Sequence, residues 1–276
     1  MINFRIIILI VAFFVCFVNY TNVNALANEN FQYNVYTPES FKSLKELNTP
    51  KQNPAAKAAP NASNPAPKFE EGSHILFIVD FSNSMNDKIR MEQRSKMQAA
   101  LDTLATILPK IPANIKTALR VYGYKAGFTP VQGCMASKMS VPFATKNADN
   151  ILGALFATKA VGWTPITYSL KQAVNVDFAN VKGKKHIVLL TDGGENCDES
   201  PCTYAIELMK LRDDISIDVI AFDIDDMEAN DQLRCAAVAT RGKFYSANTT
   251  HQLLDSLFES LSIDKNVKGV IKIDEN

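Results

Sequence analysis

The stretch HILFIVDFSNS, residues 74–84, decides how the rest of the chain is interpreted. Its first six residues are mainly apolar, as in a strand buried on both faces of a sheet. Such a strand ends at Asp80, and ligands of open α/β sheets bind just beyond the carboxyl ends of the strands. Asp80, Ser82 and Ser84 then offer one carboxylate and two hydroxyls, hard oxygen ligands that suit Mg²⁺, Mn²⁺ or Ca²⁺. A capped strand-to-helix turn is the alternative interpretation.

Strand-like and helix-like segments alternate from Phe69 to Ile263. This alternation indicates an α/β fold made of βαβ units, with a mainly parallel sheet covered on both faces. The short strand at 139–143 is expected to be a hairpin partner. We predict strands at 74–79, 116–124, 139–143, 185–190, 215–222 and 243–246, and helices at 91–108, 147–157, 166–176, 201–211, 231–240 and 251–263.

The composition is that of an ordinary globular protein. Of the 276 residues, 47% are apolar and 21% are charged, and 29 basic residues balance 29 acidic ones. We therefore expect one large domain or two small ones, without a basic surface for nucleic acid or for a membrane.

The first 27 residues resemble a secretory signal peptide. Arg5 precedes an uninterrupted apolar run at 6–18, and Ala25-Leu26-Ala27 supplies an A-x-A cleavage site. The run is short for a transmembrane helix, so we predict no transmembrane domain after cleavage, with retention as an uncleaved anchor as the alternative. The protein is expected to be exported to a periplasmic, extracellular or cell-surface location.

The remaining chain divides into three parts. Residues 28–68 are predicted to be a tether, because 48–68 contains five prolines among Ala, Asn and Lys and lacks apolar periodicity. Residues 69–263 form the predicted domain, and 264–276 form a C-terminal tail.

Four cysteines remain after signal cleavage: Cys134, Cys197, Cys202 and Cys235. An even number in an oxidising compartment favours two disulfides, and three pairings are open on the residues alone. Free buried thiols are the alternative, and no paired C-x-x-C spacing supports a zinc site.

Two further residues belong with the first motif. Thr164 precedes a proline, and Asp192 follows the second fully apolar strand and precedes Gly193 and Gly194. If the two apolar strands are neighbours, Asp80 and Asp192 lie side by side. Two carboxylates this close repel each other unless a cation lies between them or one binds a proton. The five residues Asp80, Ser82, Ser84, Thr164 and Asp192 are therefore our candidate metal ligands.

The segments IVDFSNSM (78–85), GWTPI (162–166) and LLTDGGENC (189–197) resemble the von Willebrand factor type A (VWA) domain family. The resemblance covers about residues 72–263 and matches all five positions of the family's metal-ion-dependent adhesion site. It implies a three-layer, doubly wound, Rossmann-like fold with a mainly parallel central sheet and one antiparallel edge strand.

The resemblance also implies a function for the site. Ser82 and Ser84 would bind a divalent cation through their hydroxyls, with Mg²⁺ favoured over Mn²⁺ or Ca²⁺. Thr164, Asp80 and Asp192 would bind it directly or through water. An Asp or Glu carboxylate of a protein partner would complete the metal's coordination shell.

The cysteine segments ENCDESPC (195–202) and LRCAAVAT (233–240) resemble the bacterial secreted branch of the same family. The family topology favours Cys134–Cys197 with Cys202–Cys235 over Cys197–Cys202 with Cys134–Cys235.

The sequence is compatible with three functions. The favoured one is metal-dependent protein binding or adhesion without enzymatic activity. The second is a subunit of a cell-envelope assembly that docks on a membrane protein. A haloacid-dehalogenase-like phosphatase is the remote alternative, because Ser82 stands where that class carries its general acid.

Overall fold

Strand β1, His74–Asp80, lies inside a six-stranded sheet that forms the centre of the domain. The computed structural model describes residues 73–263. The predicted signal peptide, tether and C-terminal tail lie outside these residues. The remaining strands are β2 (Lys116–Tyr122), β3 (Ser137–Ala144), β4 (Lys185–Thr191), β5 (Ile215–Phe222) and β6 (Phe244–Ala247).

Helices connect the strands and flank the sheet. They are α1 (Lys96–Ile107), α2 (Pro130–Cys134), α3 (Ala148–Phe156), α4 (Ile166–Gln172), α5 (Pro201–Leu211), α6 (Met227–Ala239) and α7 (Thr250–Ser260). A 3₁₀ turn at Asn83–Asn86 follows β1, and a π turn at Ala173–Asp177 extends α4. Among residues 73–263, no helix is both long and apolar enough to span a membrane.

The sheet has the strand order β3-β2-β1-β4-β5-β6. β1 is parallel to both β2 and β4, whereas β3 pairs antiparallel with β2 at one edge. This arrangement confirms the predicted α/β fold class with a mainly parallel sheet and an antiparallel edge strand. Since Val79 pairs with Leu190, the residues that follow β1 and β4 emerge at the same edge of the sheet.

Burial explains why the two apolar segments were the clearest strands in the sequence. All seven residues of β1 and all seven of β4 are buried, because helices cover both faces of the central strands. The helix α1 contributes Leu101, Leu104 and Ile107 to the same core.

Two predicted helix boundaries were wrong because side-chain caps decide them. The helix predicted from Met91 begins at Lys96, since the Ser95 hydroxyl accepts a hydrogen bond from the Gln98 amide. The helix predicted from Asp231 begins at Met227, because the Asp226 carboxylate accepts hydrogen bonds from two amides of the first turn.

Candidate functional site

Asp80 ends β1 as a fully buried carboxylate at the edge of the sheet. Its Oδ1 accepts a hydrogen bond from the Ser82 amide over 2.6 Å, and its Oδ2 accepts one from the Thr191 hydroxyl over 2.8 Å. Thr191 is the last residue of β4 and follows Leu190, which pairs with Val79, so the strand register brings Thr191 next to Asp80. Asp80 is thus held by the turn after its own strand and by the end of the neighbouring strand β4.

The two serine hydroxyls connect the turn after β1 to Asp192. Ser84 Oγ donates to Asp192 Oδ1 over 2.8 Å, and Ser82 Oγ lies 3.0 Å from Ser84 Oγ. A serine hydroxyl has one proton, and that of Ser84 goes to Asp192, so Ser82 is the donor to Ser84. The structure therefore brings Asp80, Ser82, Ser84 and Asp192 into one hydrogen-bonded cluster.

Thr164, the fifth predicted residue, is buried in a neighbouring loop. Gly162 pairs with Ser82 in an isolated parallel bridge, and its carbonyl accepts the Asn83 amide over 3.0 Å. The Thr164 amide donates to Oδ1 of Asn196 over 2.8 Å. Thr164 thus lies two residues from a direct contact with the serine turn, and within residues 73–263 no hydrogen bond joins its side chain to the cluster.

Close backbone approach makes this loop arrangement depend on glycine. A Cβ atom on Gly162 would lie 2.4 Å from the Lys125 carbonyl oxygen and 2.7 Å from that of Gly123. Gly123 has φ +70°, and a Cβ atom there would lie 2.5 Å from the Ser82 amide nitrogen. Three backbone segments therefore meet beside the cluster with no space for side chains.

The cluster concentrates negative charge in a buried place. Burial, and then the charge of Asp192, raise the pKa of Asp80 to about 7. Burial also raises the pKa of Asp192, although Lys96 and Ser84 oppose that rise. The Tyr122 phenol is fully buried close by, and its pKa is raised by burial and then by Asp80. A cation at this site would remove the electrostatic cost of ionising both carboxylates.

Three residues of the site were missed in the sequence. Thr191 holds Asp80, Asn196 holds the loop of Thr164, and Lys96 places Nζ 3.0 Å from Asp192 Oδ2. Thr191 could have been found as the strand residue next to Asp192. Lys96 and Asn196 carry no comparable signal, since each reaches its partner only through the fold.

Residues 74–260 match the von Willebrand factor type A domain. The chain belongs to this family. YwmC of Bacillus subtilis strain 168 is 30% identical over 181 residues, which cover 64% of this chain and 78% of YwmC.

Solved VWA-like structures show the same fold at low identity. The pilus adhesin SpaC of Lactobacillus rhamnosus GG, in its open conformation, has a TM-score of 0.55 and 13% identity, over 71% of this chain and 30% of SpaC. Proximal thread matrix protein 1 of the mussel byssus, with a zinc-occupied MIDAS motif, has a TM-score of 0.51 and 20% identity. That match covers 68% of this chain and 44% of the mussel protein.

The donor set of this VWA domain fits a hard divalent cation. Among residues 73–263, no group of three or more His, Cys, Asp and Glu side chains could hold a metal ion. A metal at this edge of the sheet would therefore use serine and threonine hydroxyls in addition to the two carboxylates. Such all-oxygen sets suit Mg²⁺, Ca²⁺ and Mn²⁺.

Two disulfides support the loops of the VWA domain. Cys134, at the end of α2, bonds to Cys197 in the loop after β4, and Cys202 of α5 bonds to Cys235 of α6. This is the pairing that the resemblance favoured, and it is confirmed. Cys197 is adjacent to Asn196, so the first disulfide also supports the residue that holds the Thr164 amide.

Exposed apolar side chains lie in and around α2, next to the loop of Thr164. Exposed side chains here are Phe128 before α2, Val131 within it and Met135 directly after it, of which Phe128 is 100% exposed. Trp163, adjacent to Thr164, packs closely against Gly133 of α2. A Cβ atom on Gly133 would lie only 2.5 Å from the indole Cδ1. Trp163 is itself 37% exposed, so it both packs under the loop and contributes to the surface.

Proposed function

We propose that this protein is an exported VWA domain that binds a protein partner through a divalent cation. Asp80, Ser82, Ser84, Thr164 and Asp192 are the proposed ligands. The observation that carries the proposal is the hydrogen-bonded cluster that links Ser82 through Ser84 to Asp192, beside the buried Asp80. Side chains from the turn after β1 and the turn after β4 converge there.

The proposed metal is Mg²⁺, with Mn²⁺ and Ca²⁺ as further candidates. Carboxylate and hydroxyl oxygens are hard donors, and Mg²⁺ characteristically keeps part of its shell for water or for a ligand from another molecule. The mussel protein with a zinc-occupied MIDAS motif supports a divalent cation in this fold. An Asp or Glu of the partner would complete the shell of the ion in this chain.

The role of the bound metal would be electrostatic: it would attract and orient the partner's carboxylate. Within this chain, Thr191 fixes Asp80 and Ser84 fixes Asp192, so the ligands are already oriented before the ion binds. A preorganised site loses less conformational freedom on binding. We propose no catalytic residue, since Ser82 occupies the place of a phosphatase's general acid.

A protein partner is favoured by the exposed apolar side chains near the site. Phe128, Val131 and Met135 are exposed in α2 or next to its ends, and Trp163 packs against the same helix from the loop of Thr164. Exposed aromatic and methionine side chains are enriched in protein interfaces. The partner's acidic side chain would reach the metal while neighbouring residues covered this apolar surface. The pilus adhesin SpaC supports such a role for the fold.

Export is proposed from the N-terminal signal-like segment, and it agrees with the two disulfides. Residues 28–68 would then tether the domain. The tethered domain would act either as an adhesin or as a subunit that docks on a membrane protein of the envelope.

Calorimetric titration with Mg²⁺ and Mn²⁺ tests the metal assignment. We expect the wild type to bind one ion and Asp80→Ala and Ser82→Ala to lose binding. Ser246→Ala, on β6 at the far edge of the sheet, is the matched serine control and should bind as the wild type does. Equal affinity in wild type, Asp80→Ala and Ser82→Ala would refute the site.

The partner is tested by photo-crosslinking in the producing cells. A crosslinker at Asn83, which is exposed on the serine turn, should capture a protein in the wild-type background and lose it with Ser82→Ala. The same experiment separates the two settings, because the captured protein is either a surface ligand or an envelope membrane protein. Capture that is unchanged by Ser82→Ala would contradict metal-dependent binding.

A further inference from the structure

The ammonium group of Lys96 directly contacts the proposed metal site. Its Nζ lies 3.0 Å from Asp192 Oδ2, and the Lys96 side chain is only 11% exposed. Asp192 thus has two different partners: Ser84 donates to Oδ1, and Lys96 donates to Oδ2. The carboxylate that a metal would use is already occupied by a charge from within the chain.

The position of Lys96 is costly for a lysine. It is the first residue of α1, directly after the cap Ser95, where the helix dipole disfavours positive charge. Burial of an ammonium group is also unfavourable unless the group is paired. The pairing with Asp192 offsets both costs, so Lys96 and Asp192 depend on each other when no metal is bound.

A second acceptor is available to the same ammonium. The Asp223 carbonyl oxygen lies 3.4 Å from Lys96 Nζ. Arg90 fixes Asp223, because its amide and its Nε both donate to that carboxylate over 3.0 and 2.7 Å. If a metal ion bound Asp192 and displaced Lys96 from it, the ammonium group could keep its contact with the Asp223 carbonyl. Lys96 would then still have a hydrogen-bond acceptor.

We infer that Lys96 is a built-in cation that competes with the divalent ion for Asp192 and so lowers the metal affinity of the site. This inference rests on the proposed function. In the metal-free protein, Lys96 neutralises Asp192 and stabilises the buried cluster. When the divalent ion binds Asp192, the two cations repel each other, and the pairing of Lys96 with Oδ2 weakens.

The pairing of Lys96 with Asp192 stabilises the metal-free domain. A site with two buried, mutually repelling carboxylates and no cation would strongly favour either metal or protons. Lys96 supplies part of the missing charge, so the domain loses less stability on releasing its metal than it would without this lysine. The negative charge of a partner's carboxylate would then favour the metal-bound state over the lysine-paired state.

Calorimetry on two substitutions tests this inference. Lys96→Met keeps the length of the side chain and removes its charge, and we expect Mg²⁺ affinity to rise by at least about tenfold, since one repelling charge disappears from a buried site. Lys96→Arg retains the charge and is the matched control, with an affinity within about threefold of the wild type.

Thermal unfolding supplies a readout that does not depend on affinity. In EDTA, Lys96→Met should unfold at a lower temperature than the wild type, because Asp192 has lost its counter-charge. Saturating Mg²⁺ should reduce this difference. Equal or weaker Mg²⁺ binding by Lys96→Met would overturn the role of Lys96, whereas the loss of binding in Ser82→Ala would still uphold the metal site.

Lysine labelling of the wild type keeps the inference testable if Lys96→Met fails to fold. Acetylation of Lys96 by an N-hydroxysuccinimide ester, followed by mass spectrometry, should be faster in saturating Mg²⁺ than in EDTA. Lys185 is the internal control, because it is buried and paired with Asp214 at 2.6 Å, away from the site. Unchanged labelling of Lys96 in a protein that binds Mg²⁺ would overturn the competition. Absence of Mg²⁺ and Mn²⁺ binding by the wild type would overturn the proposed function and this inference together.

Discussion

Ser84 donates a hydrogen bond to Asp192 over 2.8 Å, although 108 residues separate the two in the sequence. The contact exists because β1 and β4 are parallel neighbours, so that the turns following both strands leave the sheet at one edge. It joins the two halves of the proposed metal site before any ion binds. The stability of the domain and the chemistry of the site are therefore coupled.

The pH dependence of stability should show this coupling through Asp80. Burial and then Asp192 raise the pKa of Asp80 from its ordinary 3.8 to about 7. Because the folded state holds the proton more tightly than the unfolded chain, this stabilisation is complete below pH 3.8 and is lost as the pH rises through about 7. In EDTA, we expect this loss to be on the order of 4 kcal/mol.

Urea denaturation at a series of pH values measures the effect. The matched control is Asp80→Asn, which cannot titrate, and the wild type should lose stability relative to it between about pH 4 and pH 7.5. Saturating Mg²⁺ should restore wild-type stability at the upper end of this range. Parallel pH profiles for the two proteins would contradict the raised pKa.

The fold was predictable because its central strands are buried on both faces. In β1 and β4, complete burial leaves nearly continuous apolar runs; β1 ends in Asp80, and β4 is followed directly by Asp192. Short elements gave no such signal: α2 has only five residues, and its cap Thr129 marks it only in the structure. The start of α1 was misplaced because the loop before it, from Met91 to Ser95, contains helix-forming residues.

The ligand candidates could be identified in the sequence, but the residues that support them could not. Asp80, Ser82 and Ser84 lie close together in the chain and form a motif. Lys96 resembles any polar residue at the start of a helix, and its pairing with Asp192 spans 96 residues. Asn196 likewise acts through the fold, because its Oδ1 accepts a hydrogen bond from the Thr164 amide of another loop. Such contacts follow from strand order and loop packing, which no local pattern encodes.

The disulfide Cys134–Cys197 should matter for metal binding as well as for stability. It joins α2 to the loop that contains Asn196, whose carboxamide holds the Thr164 amide. Replacing both cysteines by serine should cost about 2–4 kcal/mol of unfolding free energy and weaken Mg²⁺ binding, because the loop becomes less ordered. Chemical denaturation and calorimetry measure the two effects.

The second disulfide is the matched control. Cys202–Cys235 connects α5 to α6 and touches none of the proposed ligands in the described part of the chain. Its double serine variant should lose stability by a comparable amount while keeping the Mg²⁺ affinity of the wild type. Equal losses of affinity in both variants would show that the Cys134–Cys197 bond has no special role.

Asn196→Ala should weaken the metal site through Thr164. The substitution removes the acceptor for the Thr164 amide and should cost about 1 kcal/mol of stability. Because Thr164 is then less firmly placed, we expect Mg²⁺ affinity to fall. The control is Asn230→Ala. The Asn230 carboxamide donates to the Asp226 carbonyl near the start of α6, away from Thr164. Calorimetry should show reduced affinity for Asn196→Ala alone, and unchanged affinity there would argue against this support.

A pair of glycine substitutions tests the close packing beside the cluster. Gly162→Ala places a Cβ atom 2.4 Å from the Lys125 carbonyl oxygen, so the backbone must move. A shift of Gly162 would disturb Asn83, whose amide donates to the Gly162 carbonyl, and a shift of Gly123 would disturb Ser82, which packs against it. Such overpacking should cost about 1–3 kcal/mol and reduce Mg²⁺ affinity.

The control is Gly153→Ala, because Gly153 lies in α3 with nothing within 4 Å of the new methyl group. Alanine there should stabilise the domain by about 0.5–1 kcal/mol without changing metal binding. Opposite shifts of the unfolding midpoint, with an affinity loss confined to Gly162→Ala, are the expected result. Shifts in the same direction would mean that the three backbone segments beside Ser82 are not packed as closely as the structure shows.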